Sequence, residues 1–255
     1  MRRKRRIIYY ILLIIFAGVF VYSLIQINKI QSDYRKGVNE YTSLFDQAVI
    51  MSPSGSDATD ETNSPLGYRI EHEKMKELNS DYVGWISIPN TAINYPMVKS
   101  PNNDYYLHLT FLKEYNFAGT IFLDFRTPEL DGDNTIIYGH RMNNGSMFAD
   151  LEKFLSKSFY EENRYVYIFI DSEVLIYEIF SVRIVEIEDD CYTIYFPDTN
   201  AHASWLKQMK NYSRYTTDYT PEAGENVITL STCVRGNETV RNVVQAQLVE
   251  RFPLT

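Results

Sequence analysis

The sequence predicts a mainly β protein: a closed eight-stranded barrel preceded by N-terminal helical segments. Two observations carry this reading. Eight short runs rich in Val, Ile, Tyr and Phe recur between turn residues from Val83 to Val249, and only two helical patterns interrupt them. Closing such a set into a barrel leaves no strand edge with unpaired N–H and C=O groups.

The chain opens with Arg2-Arg3-Lys4-Arg5-Arg6 and passes at once into an uncharged apolar stretch, Ile7 to Ile25. At about 1.5 Å per residue, the stretch spans about 28 Å, close to the thickness of a bilayer's hydrocarbon core. Ser23-Leu24-Ile25-Gln26-Ile27 offers no small-residue cleavage site, so an uncleaved anchor is expected rather than a removable signal peptide. The positive-inside rule then makes residues 1–6 a cytoplasmic basic tail and 7–27 a single membrane span, with everything beyond it extracellular.

Ile27, Ile30, Tyr34, Val38, Tyr41 and Phe45 recur at helical spacing, which predicts an amphipathic stalk helix over Asn28–Ile50. Met51–Pro65, rich in Ser, Thr, Asp, Gly and Pro, has a linker composition. Stalk and linker therefore occupy 28–65, and the folded domain is expected over 66–255.

Five of the 25 basic residues fall in the first six positions, so the rest of the chain sets 20 basic side chains against 33 acidic ones, a net of −13. Nucleic acid is excluded as a partner by that balance.

Within the domain, a short helix around Ile70–Leu78 leads into a first strand at Val83–Ile88. Further strands are expected at Tyr95–Val98, Thr120–Leu123, Thr135–Tyr138, Tyr165–Ile170, Leu175–Val185, Val227–Thr232 and Arg241–Val249. The two helical patterns are Ser146–Leu155 and Ala201–Tyr212, each with apolar residues on one face.

Chemistry concentrates where Thr229-Leu230-Ser231-Thr232 ends in Cys233. Alternation puts Ile228 and Leu230 on one face, and Thr229, Ser231 and Cys233 on the other, which is expected to face outward. The next strand repeats the pattern, and antiparallel pairing would set Arg241 beside Cys233. Arg235 lies nearer in sequence, but the facing of the strand favours Arg241. His140 ends the run Thr135-Ile136-Ile137-Tyr138-Gly139, a strand end of the kind that carries catalytic groups.

Cys191, in the acidic setting of Glu186, Glu188, Asp189 and Asp190, is expected to be structural rather than reactive. No zinc-ligand spacing and no phosphate-cradling loop occurs, so no metal and no cofactor is expected. Asp124, Asp131 and Asp133 read as solvated loop carboxylates.

Six segments carry a family resemblance: Asp81-Tyr82-Val83-Gly84-Trp85-Ile86, Asn94-Tyr95-Pro96-Met97-Val98, Asn103-Asp104-Tyr105-Tyr106-Leu107, Gly119-Thr120-Ile121-Phe122-Leu123-Asp124, Ile137-Tyr138-Gly139-His140 and Thr229-Leu230-Ser231-Thr232-Cys233. In this order, followed by Arg241, they resemble the sortases, membrane-anchored cysteine transpeptidases of Gram-positive bacteria, and class B most of all. The helix at Ala201–Tyr212 resembles the extra helix of that class, between the sixth and seventh barrel strands.

The resemblance implies that Cys233 attacks the threonine carbonyl of a C-terminal sorting motif, often N-P-x-T-like in this class. His140 would protonate the leaving amine and Arg241 hold the oxyanion, while Asn103, Leu107 and Ser231 line the peptide groove. The other wall falls among Tyr192, Ile194 and Tyr195. Its implied partners are surface proteins bearing a sorting signal and an amine on a peptidoglycan precursor. Two alternatives remain: a pilin-polymerising enzyme using a lysine acceptor, and a non-catalytic membrane-anchored binding module. A papain-like hydrolase is disfavoured, because there the nucleophile precedes the histidine along the chain.

Overall fold

The computed structural model describes residues 2–51, 64–128 and 130–254. They fall into two compact units, Met1–Glu40 and Tyr41–Thr255.

The first unit is formed by helix α1 (Arg2–Ala48), which continues past it into the second. No proline occurs in this range, so the expected anchor and stalk are one uninterrupted helix. Its apolar side chains from Ile7 to Tyr22 are exposed, and it is long and apolar enough to cross a membrane.

The second unit begins at Tyr41, well before the expected start at residue 66. The last turns of α1 belong to it because Tyr41, Leu44 and Ala48 are buried. The Tyr41 ring meets Tyr95 edge-on at 5.3 Å, and its hydroxyl donates to the Gly119 carbonyl at 2.5 Å. Strand β1 (Val49–Met51) then pairs antiparallel with β2 (Tyr68–Ile70). Most of the expected linker lies outside the described residues.

After α2 (His72–Leu78) come β3 (Tyr82–Ser87), β4 (Asn94–Lys99), β5 (Ile121–Leu123) and β6 (Asn134–Tyr138). A 3-10 turn at Ala149–Leu155 and α3 (Lys157–Glu162) replace the single helix expected at Ser146–Leu155. Then follow β7 (Tyr165–Ile170), β8 (Glu173–Glu186), α4 (Thr199–Asn211), β9 (Val227–Val234) and β10 (Asn237–Pro253). Eight strands close in the order β10-β8-β7-β3-β4-β5-β6-β9. The pairs β4–β5 and β6–β9 are parallel and the others antiparallel. The expected barrel is therefore present, with α4 between its sixth and seventh strands.

Helix α4 explains why β9 is buried on both faces. Trp205, Leu206 and Met209 pack with Phe180, Val185, Cys191, Val227 and Val243, forming a second core outside the barrel wall. Asp198 caps the helix by accepting from the Ala201 amide at 2.8 Å, and Trp205 Nε1 donates to the Asp190 carbonyl at 2.8 Å. Ile228, Leu230, Val244 and Ala246 alternate with these residues and are buried on the opposite face.

His72 at the start of α2 is 7% exposed, and its Nδ1 shares a hydrogen bond with the Tyr82 hydroxyl at 2.8 Å. Burial drives its pKa down to about 4, with Asp171 opposing and Lys76 assisting. A depressed value favours the neutral native form, so this contribution to stability is complete above about pH 6.5 and is lost as pH falls toward 4. Chemical denaturation at pH 7 and pH 4 should show the parent protein losing about 2–3 kcal/mol more than His72→Gln; equal losses would exclude His72 as the source.

Candidate active site

The parallel pairing of β6 with β9 brings their ends together. Tyr138 is in register with Ser231. One residue further on, the Gly139 amide donates to the Ser231 carbonyl at 3.2 Å, and the Thr232 hydroxyl donates to the Gly139 carbonyl at 2.7 Å. A β-carbon on Gly139 would lie 2.7 Å from the Phe148 ring and 2.5 Å from Ile121 Cδ1, so this close junction requires glycine. His140 and Cys233 thus leave adjacent strand ends, although 93 positions separate them in sequence.

On the other side of β9, Arg241 of β10 pairs directly with Cys233. The register breaks immediately beyond, between Asn237 and Arg241, so an irregularity sits beside the thiol. Cys233, His140 and Arg241 all line one cavity of about 250 Å³, together with Asn103, Leu107, Ser231, Phe122, Tyr138, Gly139 and Thr232. The three residues given catalytic roles and the three given peptide-groove roles from the sequence therefore border the same space, whereas Tyr192, Ile194 and Tyr195 are not among its lining residues. Arg235 is exposed in the turn between β9 and β10, and the cavity is lined by Arg241 instead.

The expected facing needs one correction. Ser231 is 1% exposed and Thr229 fully buried, because their face is covered by α4 and the turn at Asp190–Tyr192 rather than open to solvent. Half-buried Cys233 emerges where that cover ends. The covering residue over Ser231 is Tyr192, whose hydroxyl hydrogen-bonds to Ser231 Oγ at 2.9 Å and whose ring stacks on Tyr138 at 6.4 Å. Among the three wall candidates, Tyr192 makes this contact, whereas Tyr195 is 82% exposed.

His140 is held on its far edge. Its Nε2 donates to the Leu107 carbonyl at 2.8 Å; the carbonyl can only accept, which fixes the proton on Nε2. Nδ1 is then the nitrogen available for proton transfer. Burial lowers the His140 pKa, and the His108 ring stacked at 6.0 Å lowers it further, against the pull of the Leu107 carbonyl. The imidazole is accordingly neutral at pH 7. Gly119, at φ 60°, fits so closely beneath Leu107 that a β-carbon there would lie 2.6 Å from the Leu107 oxygen.

Two groups on this wall escaped the sequence reading. Tyr138 and Phe122 line the cavity as a tilted aromatic pair 5.4 Å apart. Asp124, expected to be a solvated loop carboxylate, is fully buried behind Asn103 and Tyr138. The signal available was its place directly after an apolar strand and two residues before Arg126.

Cys191 is fully buried, and burial, reinforced by the nearby Asp189 carboxylate, pushes its thiol far above the ordinary range. Iodoacetamide at pH 7.5 should therefore modify the native protein once, at Cys233, and reach Cys191 only after denaturation. Mass spectrometry of the peptides checks this, and native labelling of Cys191 would contradict it.

Comparison with known proteins agrees with this geometry. A family model described as the sortase domain matches residues 86–249. Sortase B of Listeria monocytogenes is 34% identical over 248 residues, covering 94% of this chain and 96% of its own length. Sortase B of Staphylococcus aureus is 32% identical over 71% of this chain and 76% of its own. Among solved structures, Bacillus anthracis sortase B in complex with AAEK1 superposes with a TM-score of 0.71 at 31% identity, over 86% of this chain and 99% of that one. A barrel with the extra helix, a cavity that gathers thiol, imidazole and guanidinium, and relatives matched over nearly their whole length agree: the chain belongs to the sortase family of cysteine transpeptidases and is of the sortase B type.

Proposed function

We propose that this enzyme cleaves a C-terminal sorting motif after its threonine and joins the released protein, through a thioacyl intermediate on Cys233, to an amine of a cell-wall precursor. The observation that carries this reading is the convergence of Cys233, His140 and Arg241 on one cavity that Asn103, Leu107 and Ser231 also line.

His140, neutral and held through Nε2, accepts the thiol proton on Nδ1 as Cys233 Sγ attacks the threonine carbonyl. The carbonyl oxygen gains negative charge, and the Arg241 guanidinium, paired across the strand from Cys233, stabilises it. Collapse of the tetrahedral intermediate breaks the peptide bond, and the imidazolium gives its proton to the departing amine. The incoming amine reverses the sequence: it attacks the thioester, loses a proton to His140 and restores the thiol. Residues 7–27 anchor the enzyme in the cell membrane as a single span, with the barrel outside, where exported substrates emerge. Its partners in this reading are surface proteins bearing the sorting signal and the peptidoglycan precursor.

Incubating the full-length protein in detergent with a sorting-motif peptide library and amine acceptors, and identifying products by mass spectrometry, tests the reaction. Thioacyl adducts at Cys233 and amide products are expected; hydrolysis without transfer would indicate a protease, and transfer to pilin lysines alone a polymerase. Cys233→Ala should abolish cleavage and transfer, Cys191→Ala leave both largely intact, and Arg241→Ala slow acylation by about 10²–10³. Substantial turnover by Cys233→Ala would overturn the assignment.

A further inference from the structure

Behind one wall of the cavity lies a carboxylate that the thiol chemistry does not use. Asp124 follows β5 directly and is fully buried. Its Oδ1 accepts from the Arg126 amide and from Arg126 Nε, each at 2.9 Å. Its Oδ2 accepts from an Arg126 terminal nitrogen at 2.9 Å, from Asn103 Nδ2 at 3.0 Å and from the Tyr138 hydroxyl at 3.0 Å. Asn103 Oδ1 in turn accepts from the Phe125 amide at 3.1 Å.

These bonds determine which polar groups Asn103 and Tyr138 turn toward the cavity. A carboxylate can only accept and a backbone amide can only donate, so the Asn103 side chain cannot flip without losing both partners. As a cavity-lining residue it retains one N–H and one carbonyl lone pair beyond these two bonds. The Tyr138 proton is committed to Asp124, so toward the cavity the phenol can only accept. Burial by itself would raise the Asp124 pKa, but the Arg126 side chain and amide, with Asn103, hold it below the ordinary range and keep the acceptor charged at neutral pH.

We infer that Asp124 is the positioning residue that sets the donor and acceptor polarity of this wall, and that through Asn103 and Tyr138 it fixes the register of the peptide main chain in the groove. This rests on the sorting reaction proposed above. The role concerns substrate placement, because Asp124 holds two lining residues and Cys233 and His140 are positioned by other bonds. Loss of the charge should therefore weaken peptide binding while leaving the thiol as reactive as before.

Asp124→Asn tests this, because the isosteric amide cannot accept from Arg126, Asn103 and Tyr138 together. The measurements use full-length protein in detergent and a fluorogenic peptide carrying an N-P-x-T sequence. KM should rise about tenfold with kcat within about threefold of the parent. Alkylation of Cys233 by iodoacetamide should keep its rate. Asn103→Ala should cost less in the Asp124→Asn background than alone, as residues acting through one network do.

An unchanged KM, or additive effects of Asn103→Ala and Asp124→Asn, would overturn the inference. So would a fall in kcat accompanied by slower alkylation, since that places the effect at the thiol. If Asp124→Asn shows no cooperative melting transition, Tyr138→Phe takes its place: it removes one donor and keeps the ring, KM should rise about threefold, and no change would overturn the inference. If the parent protein alkylates normally yet forms no thioacyl adduct with the peptide, the proposed sorting reaction fails and this inference falls with it.

Discussion

The register between β6 and β9 is the constraint on which the site depends. Parallel pairing of Tyr138 with Ser231 sets the two strand ends level. The Gly139 amide and Thr232 hydroxyl then extend the pairing by one step, so the imidazole and the thiol arise side by side. A slip of one residue would turn every side chain of β9 to the opposite face, burying Cys233 in the barrel and presenting Thr232 instead. The buried faces on both sides of β9 prevent that slip: Ile228 and Leu230 face inward, while Val227 is packed beneath α4. Helix α4 thus acts on the chemistry at a distance, by making the outer face of the strand as specific as the inner one.

Much of this was legible in the sequence because the barrel strands alternate cleanly and the candidate residues stand at strand ends. Alternation also paired Arg241 with Cys233 and separated it from Arg235. What alternation cannot register is a second layer. Ser231 and Thr229 looked outward-facing because the pattern of one strand says nothing about a helix folded over it. Asp124 was misread for a related reason: it was grouped with the loop residues Asp131 and Asp133, but its partners Asn103 and Tyr138 come from distant segments.

The two cysteines illustrate how position decides reactivity. Both lie near acidic or basic residues in sequence, yet one is sealed among Trp205, Leu206 and Met209, while the other emerges at the end of a strand. In the buried setting the thiolate loses its hydration and Asp189 adds repulsion, which together outweigh the attraction of Arg183. Cys191 is therefore a small apolar filler under α4, and its sulfur serves packing alone.

The distance in sequence between the two halves of the cavity also sets an order of assembly. A chain emerging from its N-terminus presents Asn103, Leu107 and His140 long before Cys233, and Arg241 later still. Parallel pairing of β6 with β9 is a long-range contact, and such contacts must wait for the closure of a large loop. Until that loop closes there is no wall opposite the imidazole and no junction at Gly139. The thiol therefore joins its proton acceptor and its cation only when the last strands complete the barrel.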